Sequence, residues 1–313
     1  MQILNKTTNF DFMGHRRMAI GISVVLVIAS IAMLAIRGLN FGIDFTGGVQ
    51  LEAGYTQTAV LKDIRSRLSD GGFDKVSVQH FGSTSDVLVR LPPDEGGSKD
   101  ASELSERVLQ LLRAGGQEVE HRRTDFVGPQ VGEELREQGG LAMIVALLMI
   151  LAYVAVRFQW KFSLGSVAAL VHDVILTIGF FAAFQFQFDL TVVAAVLAVI
   201  GYSLNDTIVV FDRIRENFLT VRRSTPTEVV NLSINQTLSR TLITGVTTLL
   251  VLVALFFLGG EAIHVFALAL IVGVVVGTYS SVYVASATAL SLKITTMDLL
   301  PPQEKEPELD SLP

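Results

Sequence analysis

The chain alternates between long apolar stretches and polar ones, and six apolar stretches stand out. They cover 18–36, 141–156, 162–183, 190–211, 242–258 and 262–290. A membrane-spanning helix needs about 20 apolar residues, and the second stretch approaches that length with Gly139 and Gly140, which add no charge. The pattern predicts a membrane α-helical protein with six transmembrane helices.

The apolar stretches divide the chain into parts. These are an N-terminal segment at 1–17, helix one at 18–36, a polar domain at 37–138, helices two to six at 139–292 and a tail at 293–313. From Pro301 the tail is rich in proline and charge, which is typical of disorder. Between helices four and five, Thr225, Pro226 and Glu228 have the positions of a helix cap. We therefore expect a cytoplasmic amphipathic helix near 226–239.

Within the polar domain at 37–138, the spacing of apolar residues switches several times between the alternation typical of strands and the spacing typical of helices. Alternation around Leu51 predicts a strand, and the helical spacing from Val60 to Leu68 predicts a helix. Alternation at 76–78 and 87–91 predicts a hairpin, followed by a second helix near Leu104 and a last strand at 118–126. The order βαββαβ is that of a ferredoxin-like α+β domain, with helices on one face of the sheet. The other face is expected to be open, which suits a partner, although a simple spacer domain is the alternative.

Two glycine-bearing segments connect this domain to the apolar stretches. FGIDFTGG places Asp44 before Gly47 and Gly48, and FVGPQVG contains Gly128. Glycine adopts positive φ at little cost, so the chain can turn sharply here. These junctions are interpreted as turns or as hinges.

Composition and charge refine the picture. The mean hydropathy of +0.51 fits an integral membrane protein, whereas the net charge of −6 indicates little about partners. Lys and Arg cluster before helix one, in the connections two–three and four–five, and after helix six, which predicts that both termini are cytoplasmic. The large domain is then outside, in the periplasm. The first helix has no small-residue cleavage site and is expected to be an uncleaved anchor.

The candidate chemistry begins with Asp206, which lies with Asn205 inside the fourth apolar stretch. A charge at mid-bilayer costs about 2.5–3.5 kcal/mol even on a lenient scale, and such residues usually mark an ion pathway. The alternative is that Asp206 only fixes helix packing.

Three further titratable residues accompany Asp206. His172 and Asp173 lie near the middle of the third stretch, and their alternative role is hydrogen bonding between helices. Arg240 opens the fifth stretch and can bend inward to balance an ionised Asp206, or it can anchor the helix at the interface. In the sixth stretch, Gly273, Gly277 and Ser281 recur every four residues and form a small-residue face for close packing.

Enzyme functions find little support in the sequence. A zinc protease site would need a second histidine four residues from His172, and no glycine-rich phosphate loop is present. Asp173 and Asp206 supply the two carboxyl groups that an intramembrane aspartyl dyad would need. The absence of cysteine excludes disulfides and thiolate metal sites. We expect a non-enzyme without ATP, metal or cofactor, and without a nucleic-acid partner.

Five motifs, in this order, resemble one family of membrane proteins. They are FGIDFTGG, FVGPQVG, RFQWKFSLGSVAALVHDV, GYSLNDTIVVFDRIRENF and SRTLIT. These motifs resemble SecF, the smaller membrane subunit of the bacterial SecD–SecF protein-export complex, which is similar in architecture to resistance-nodulation-division transporters. The resemblance extends over nearly the whole chain.

The resemblance implies a function as well as a fold. It implies an inner-membrane subunit that works with SecD, the SecYEG channel and, as a further candidate, YajC, in contact with preprotein and lipid. It also implies a proton or sodium gradient as the energy source, with the essential aspartate at Asp206 and the functional arginine at Arg240. The alternatives are a resistance-nodulation-division-type efflux or lipid transporter subunit, and a non-transporting scaffold.

Overall fold

The computed structural model describes residues 8–93, 101–157, 159–221 and 223–295, and of residues 261 and 262 it describes only the backbone. Predictions that concern 1–7, the loop at 94–100 and the tail beyond 295 lie outside the described residues. The described chain consists of a helix bundle and a four-stranded sheet domain.

The helices follow the apolar pattern closely. They are α1 (Arg16–Arg37), α2 (Ile43–Thr46), α3 (Leu61–Asp70), α4 (Ala101–Arg113), α5 (Pro129–Arg157), α6 (Trp160–Phe184), α7 (Leu190–Thr220), α8 (Pro226–Leu258), α9 (Glu261–Ser280), a π-helical turn (Ser281–Ala285) and α10 (Ser286–Ser291). The last three form one continuous span. Six helices of the described chain are long and apolar enough to cross a membrane, which confirms the predicted number.

The sheet domain lies between α1 and α5. Its strands are β2 (Gly48–Tyr55), β3 (Ser77–Phe81), β4 (Ser83–Leu91) and β5 (Val119–Val127), in the antiparallel order β3-β4-β2-β5. With α3 and α4 this is the predicted βαββαβ arrangement. The fully buried Leu51, Ile64, Val89 and Leu112 join the sheet to the two helices.

The opposite face of the sheet is less open than the sequence predicts. Arg90, which points away from the helices, is buried and donates to Gln187 Oε1 at 2.5 Å and to the Phe41 carbonyl at 3.4 Å. These partners belong to β1 (Asn40–Phe41) and β6 (Gln187–Phe188), a short parallel pair next to the bundle. Burial lowers the pKa of Arg90, and the carboxylate of Asp189 acts in the opposite direction. Part of this face is therefore a contact with the bundle.

The structure also differs from the sequence-based expectation in the length of the helix predicted near 226–239. The predicted start is present, because Thr225 and Glu228 form a reciprocal capping box. The helix then continues without a break to Leu258, since no proline follows Pro226 within it. The N-terminal segment packs against its first turns, where Asn235 and Phe10 exchange hydrogen bonds of 2.8 and 2.9 Å.

Helices α7 and α9 pack closely against each other. A Cβ on Gly273 would lie 2.0 Å from Val199 Cγ2, and one on Gly277 would lie 3.0 Å from Ser203 Cβ. This confirms the small-residue face predicted for the sixth span.

The two junctions pack against each other. Gly47 and Gly48 have φ of 69° and 117°, values that favour glycine, and a Cβ on Gly132 would lie 2.7 Å from the Gly47 nitrogen. Gly128, chosen from the sequence, has no positive φ and would admit a Cβ without contact. The glycine that the second junction requires is Gly132.

Asp44 links these junctions to helix α7. Its Oδ2 accepts a hydrogen bond of 3.0 Å from the Leu190 backbone N–H, and Asp189 caps the same helix end through Val192. Carboxylates are stabilising at a helix N-terminus because unpaired N–H groups and the helix dipole meet there. The junction is thus attached to the helix that carries Asp206.

The glycine contact generates a first prediction. Gly273→Ala is expected to lower the free energy of unfolding of the bundle by about 1–3 kcal/mol, because a β-branched neighbour cannot move aside easily. The measurement is chemical unfolding in detergent. The matched control is Gly201→Ala on α7, where a Cβ would meet no atom within 4 Å. Equal effects of the two changes would contradict the packing account.

The Asp44 contact generates a second prediction. Asp44→Ala is expected to accelerate hydrogen exchange at the start of α7, because loss of a capping interaction costs about 0.5–2 kcal/mol, whereas Asp44→Asn, which keeps an acceptor, should have a smaller effect. The measurement is exchange followed by mass spectrometry of peptides that contain Leu190. Asp125→Ala, a change in the exposed Arg123–Asp125 pair, is the control. Unchanged exchange in Asp44→Ala would refute the coupling.

Candidate functional site

A polar centre lies where α6, α7 and α9 meet. Asp173 is fully buried, and its Oδ2 accepts hydrogen bonds from Ser203 Oγ at 2.5 Å and Ser280 Oγ at 2.7 Å. Its Oδ1 lies 2.9 Å from His172 Nδ1. The Ser203 and Ser280 hydroxyls are the donors in their contacts with the carboxyl group. Asp173 therefore connects three helices.

His172 completes this centre from the neighbouring position on α6. Consecutive residues on a helix point about 100° apart, but the His172 ring turns back toward Asp173. The His172 side chain is only 5% exposed. If Nδ1 donates to Asp173, the other ring nitrogen, Nε2, is an acceptor in the neutral ring. Nε2 has no partner among the described residues.

Asp206 lies one turn beyond Ser203 on the same face of α7, so their Cβ atoms are about 5–6 Å apart. It is 3% exposed, and its Oδ2 is buried without a hydrogen-bond partner in the described chain. The same is true of Tyr202 OH, Thr207 Oγ1 and Thr241 Oγ1. A buried polar atom without a partner costs about 1–3 kcal/mol. This group thus has free capacity to bind a proton, an ion or water.

The two other predicted members of the site lie at its edge. Arg240 is exposed and is the cation that acts electrostatically on Asp206, without a direct ion pair in the described structure. Asn205 is exposed and points away from the buried group. The bundle therefore leaves an amide and a guanidinium on its outer surface.

The structure brings His172 and Asp173 together and keeps Asp206 separate from them. Both oxygens of Asp173 are engaged with other groups, and no hydrogen bond joins the two carboxyl groups, which is unlike an aspartyl dyad. No cluster of three metal-ligating side chains is found within the described ranges.

Sequence reasoning missed the residues that complete the centre around Asp173. Ser203 and Ser280 both donate to Asp173, and the sequence analysis predicts neither contact. A serine or threonine inside an apolar helix was the available signal, but most such hydroxyls bond their own helix, as Thr177 and Thr247 do here.

Comparisons with known proteins agree with this architecture. The family model described as "Protein export membrane protein SecD/SecF, C-terminal" matches residues 107–295, and that of the "SecD/SecF GG Motif" matches 32–59, which contain Gly47 and Gly48. The protein translocase subunit SecF of Vibrio alginolyticus is 50% identical over 100% of this chain and 99% of its own length. The SecF subunit of Pseudomonas aeruginosa is 48% identical over 96% and 97%.

A solved structure has the same fold. The crystal structure of SecDF from Thermus thermophilus, described as a translocon-associated membrane protein, matches with a TM-score of 0.83 and 39% identity over 94% of this chain. The chain spans 40% of the length of that SecDF chain. Together with the six apolar helices, these matches identify a multi-pass membrane protein. The chain therefore belongs to the SecF family of protein translocase subunits.

Proposed function

We propose that this chain is the SecF half of an ion-driven unit that, with SecD, uses a proton or sodium gradient to drive late steps of preprotein passage through the SecYEG channel. The observation that carries the proposal is the buried Oδ2 of Asp206, which has no hydrogen-bond partner in the described chain, beside the fixed charge of Arg240. Intramembrane carboxylates of this kind mark ion pathways.

In this proposal the two carboxylates have different tasks. Asp173, held by donors from three elements, is a fixed part of the bundle. Asp206 takes up and releases the ion, because a carboxyl that moves between a dry site and the neighbourhood of a guanidinium changes its proton affinity. Moving one charge through the membrane potential supplies about 2.3 kcal/mol per 100 mV, which is sufficient to bias a two-state element.

SecD is the partner that we assign to the outer surface near Asn205 and Arg240. Both side chains are exposed on helices that are long and apolar enough to cross a membrane, and polar groups at membrane depth need partners. The relative of known structure is a SecDF chain of which this chain matches 40%. SecYEG, preprotein and YajC are further proposed partners.

The proposed location is the bacterial inner membrane, with both termini cytoplasmic and the sheet domain in the periplasm. The distribution of Lys and Arg supports this orientation. The gradient replaces ATP in this proposal, so the chain is not an enzyme. An efflux or lipid transporter of the resistance-nodulation-division type is less well supported, because the relatives that match over nearly their whole length are protein translocase subunits.

The third prediction tests the ion step. Asp206→Asn keeps the shape of the side chain and removes ionisation, so protein export into vesicles with an imposed gradient should lose its gradient-dependent part. Asp212→Asn is the matched control, since Asp212 lies on the same helix but is 43% exposed and pairs with Arg157 at 3.3 Å. Full gradient stimulation in Asp206→Asn would overturn the assignment.

The fourth prediction tests movement of the sheet domain. Gln50 on β2 and Gln187 on β6 approach to 3.5 Å across the contact between domain and bundle, and the chain contains no cysteine. Gln50→Cys with Gln187→Cys, joined by a short cleavable cross-linker, should abolish gradient-driven export and leave assembly with SecD intact.

Two controls accompany this cross-link. The single-cysteine parents, treated with the same reagent, should export normally, and cleavage of the linker should restore the double variant. Normal export by the locked protein would mean that the domain is a passive platform and that the ion step acts through the helices alone.

A further inference from the structure

The contact between the sheet domain and the bundle contains a buried arginine whose partners in the described chain are all neutral. Arg90 on β4 is 9% exposed. Its guanidinium donates to Gln187 Oε1 at 2.5 Å, and at 3.4 Å to both Asn40 Oδ1 and the Phe41 carbonyl. Its Nε is buried without a partner among the described residues. A buried cation is costly to desolvate unless it is paired, so this contact favours a nearby anion.

Asp189 is a carboxylate close to this guanidinium. Its charge acts on Arg90 without a direct ion pair in the described structure. A Cβ on Gly42 would lie 2.9 Å from Gln187 Nε2 and 3.1 Å from Asp189 Cβ. The Gln187 amide, which binds Arg90, and the Asp189 side chain are therefore neighbours.

Asp189 has one oxygen that its capping role does not use. Both bonds of the cap, from the Val192 N–H at 3.0 Å and from Thr191 Oγ1 at 2.6 Å, go to Oδ1. Oδ2 takes part in neither of them, and the side chain is partly exposed. The carboxylate can therefore accept from a guanidinium through Oδ2 while Oδ1 continues to cap α7.

We propose that Arg90 has two alternative partners, the Gln187 amide seen here and the Asp189 carboxylate, and that it exchanges one for the other when the sheet domain moves against α7. The first position gives the guanidinium neutral acceptors in a buried contact. The second gives it a charge-assisted hydrogen bond, which is roughly twice as strong as a neutral one, but separates it from Gln187. A gain and a loss of similar kind keep the two arrangements close in free energy, as a two-state element requires.

The exchange connects the sheet domain with the helix of the proposed ion step. Asp189 caps the N-terminus of α7, and Asp206 lies 17 residues further along, roughly 25 Å at a rise of about 1.5 Å per residue. A shift of the helix moves the Asp189 carboxylate toward or away from Arg90. Both are positioning residues, because neither lies at the proposed ion site. The inference thus rests on the proposed function.

The first test detects the second position directly, in the full chain assembled with SecD in membrane vesicles. Arg90→Lys keeps the charge and supplies an amine, which a carbodiimide joins to a carboxylate only at ion-pair distance. Mass spectrometry should find a peptide in which an amide bond links residues 90 and 189. Its yield should change about two- to fivefold when an ion gradient is imposed, the ratio that a partly exposed ion pair supplies.

Two variants calibrate this reaction. Arg122→Lys is the positive control, since Arg122 and Asp86 form a 2.9 Å ion pair within the sheet domain, and it should link with or without a gradient. Arg90→Lys combined with Asp189→Asn has no carboxyl group at position 189 and should give no link there. A missing 90–189 link where the positive control links, or a yield that the gradient leaves unchanged, would overturn the proposal.

The second test separates the charge of Asp189 from its capping role. Asp189→Asn keeps an oxygen acceptor for the helix cap, so hydrogen exchange in peptides that contain Leu190 should match the natural chain. Gradient-driven export should fall about two- to fivefold, because the charged partner of the second position is lost. Asp125→Asn, which removes a charge from the exposed Arg123–Asp125 pair, is the control and should change neither quantity.

Comparison with Asp206→Asn distinguishes this inference from the proposed function. Full gradient-driven export by Asp189→Asn, where Asp206→Asn has lost it, would refute the exchange of partners and leave the ion step standing. Faster hydrogen exchange at Leu190 together with the loss of export would assign the effect to the helix cap and would equally refute the proposal. Undiminished export by both variants would reject the proposed function and, with it, the exchange.

Discussion

The bundle depends on one buried carboxylate. Asp173 receives hydrogen bonds from Ser203 on α7 and Ser280 on α9 and contacts its neighbour His172 on α6. A buried polar group is costly unless it is hydrogen-bonded, so the three helices must keep one mutual arrangement. The same arrangement places Val199 against Gly273, where any side chain would separate α7 from α9.

Asp206 differs from Asp173 in its hydrogen bonding. It lies one turn from Ser203 and is nearly as buried as Asp173, yet its Oδ2 has no partner in the described chain. A carboxyl group whose oxygens are all hydrogen-bonded holds helices together, whereas one with an oxygen that lacks a hydrogen-bond partner can bind and release a ligand. The rigid centre therefore fixes the height and direction of α7, and the proposed ion step takes place on a helix that is held firmly one turn away.

The N-terminal end of the same helix lies against the junction that leads to the sheet domain. Its first N–H groups are capped by Asp189 and by Asp44 from the first junction, and that junction packs on the second through Gly47 and Gly132. The sheet rests on the adjoining loop through the buried Arg90 and Gln187. Junctions, loop and helix end thus form one contact region, through which a displacement of α7 would reach the domain without a flexible linker.

Periodicity along the chain determined the six spans, the βαββαβ order and the presence of carboxylates at membrane depth, because these depend on local residue spacing and on the cost of leaving lipid-exposed charge. Only the tertiary structure decided which partners each polar group has. It placed Ser203 and Ser280 on Asp173, turned Asn205 outward, closed part of the sheet face with Arg90, and moved the glycine requirement from Gly128 to Gly132. These contacts join residues far apart in sequence, and their geometry is set by helix packing, which residue spacing along one helix does not encode.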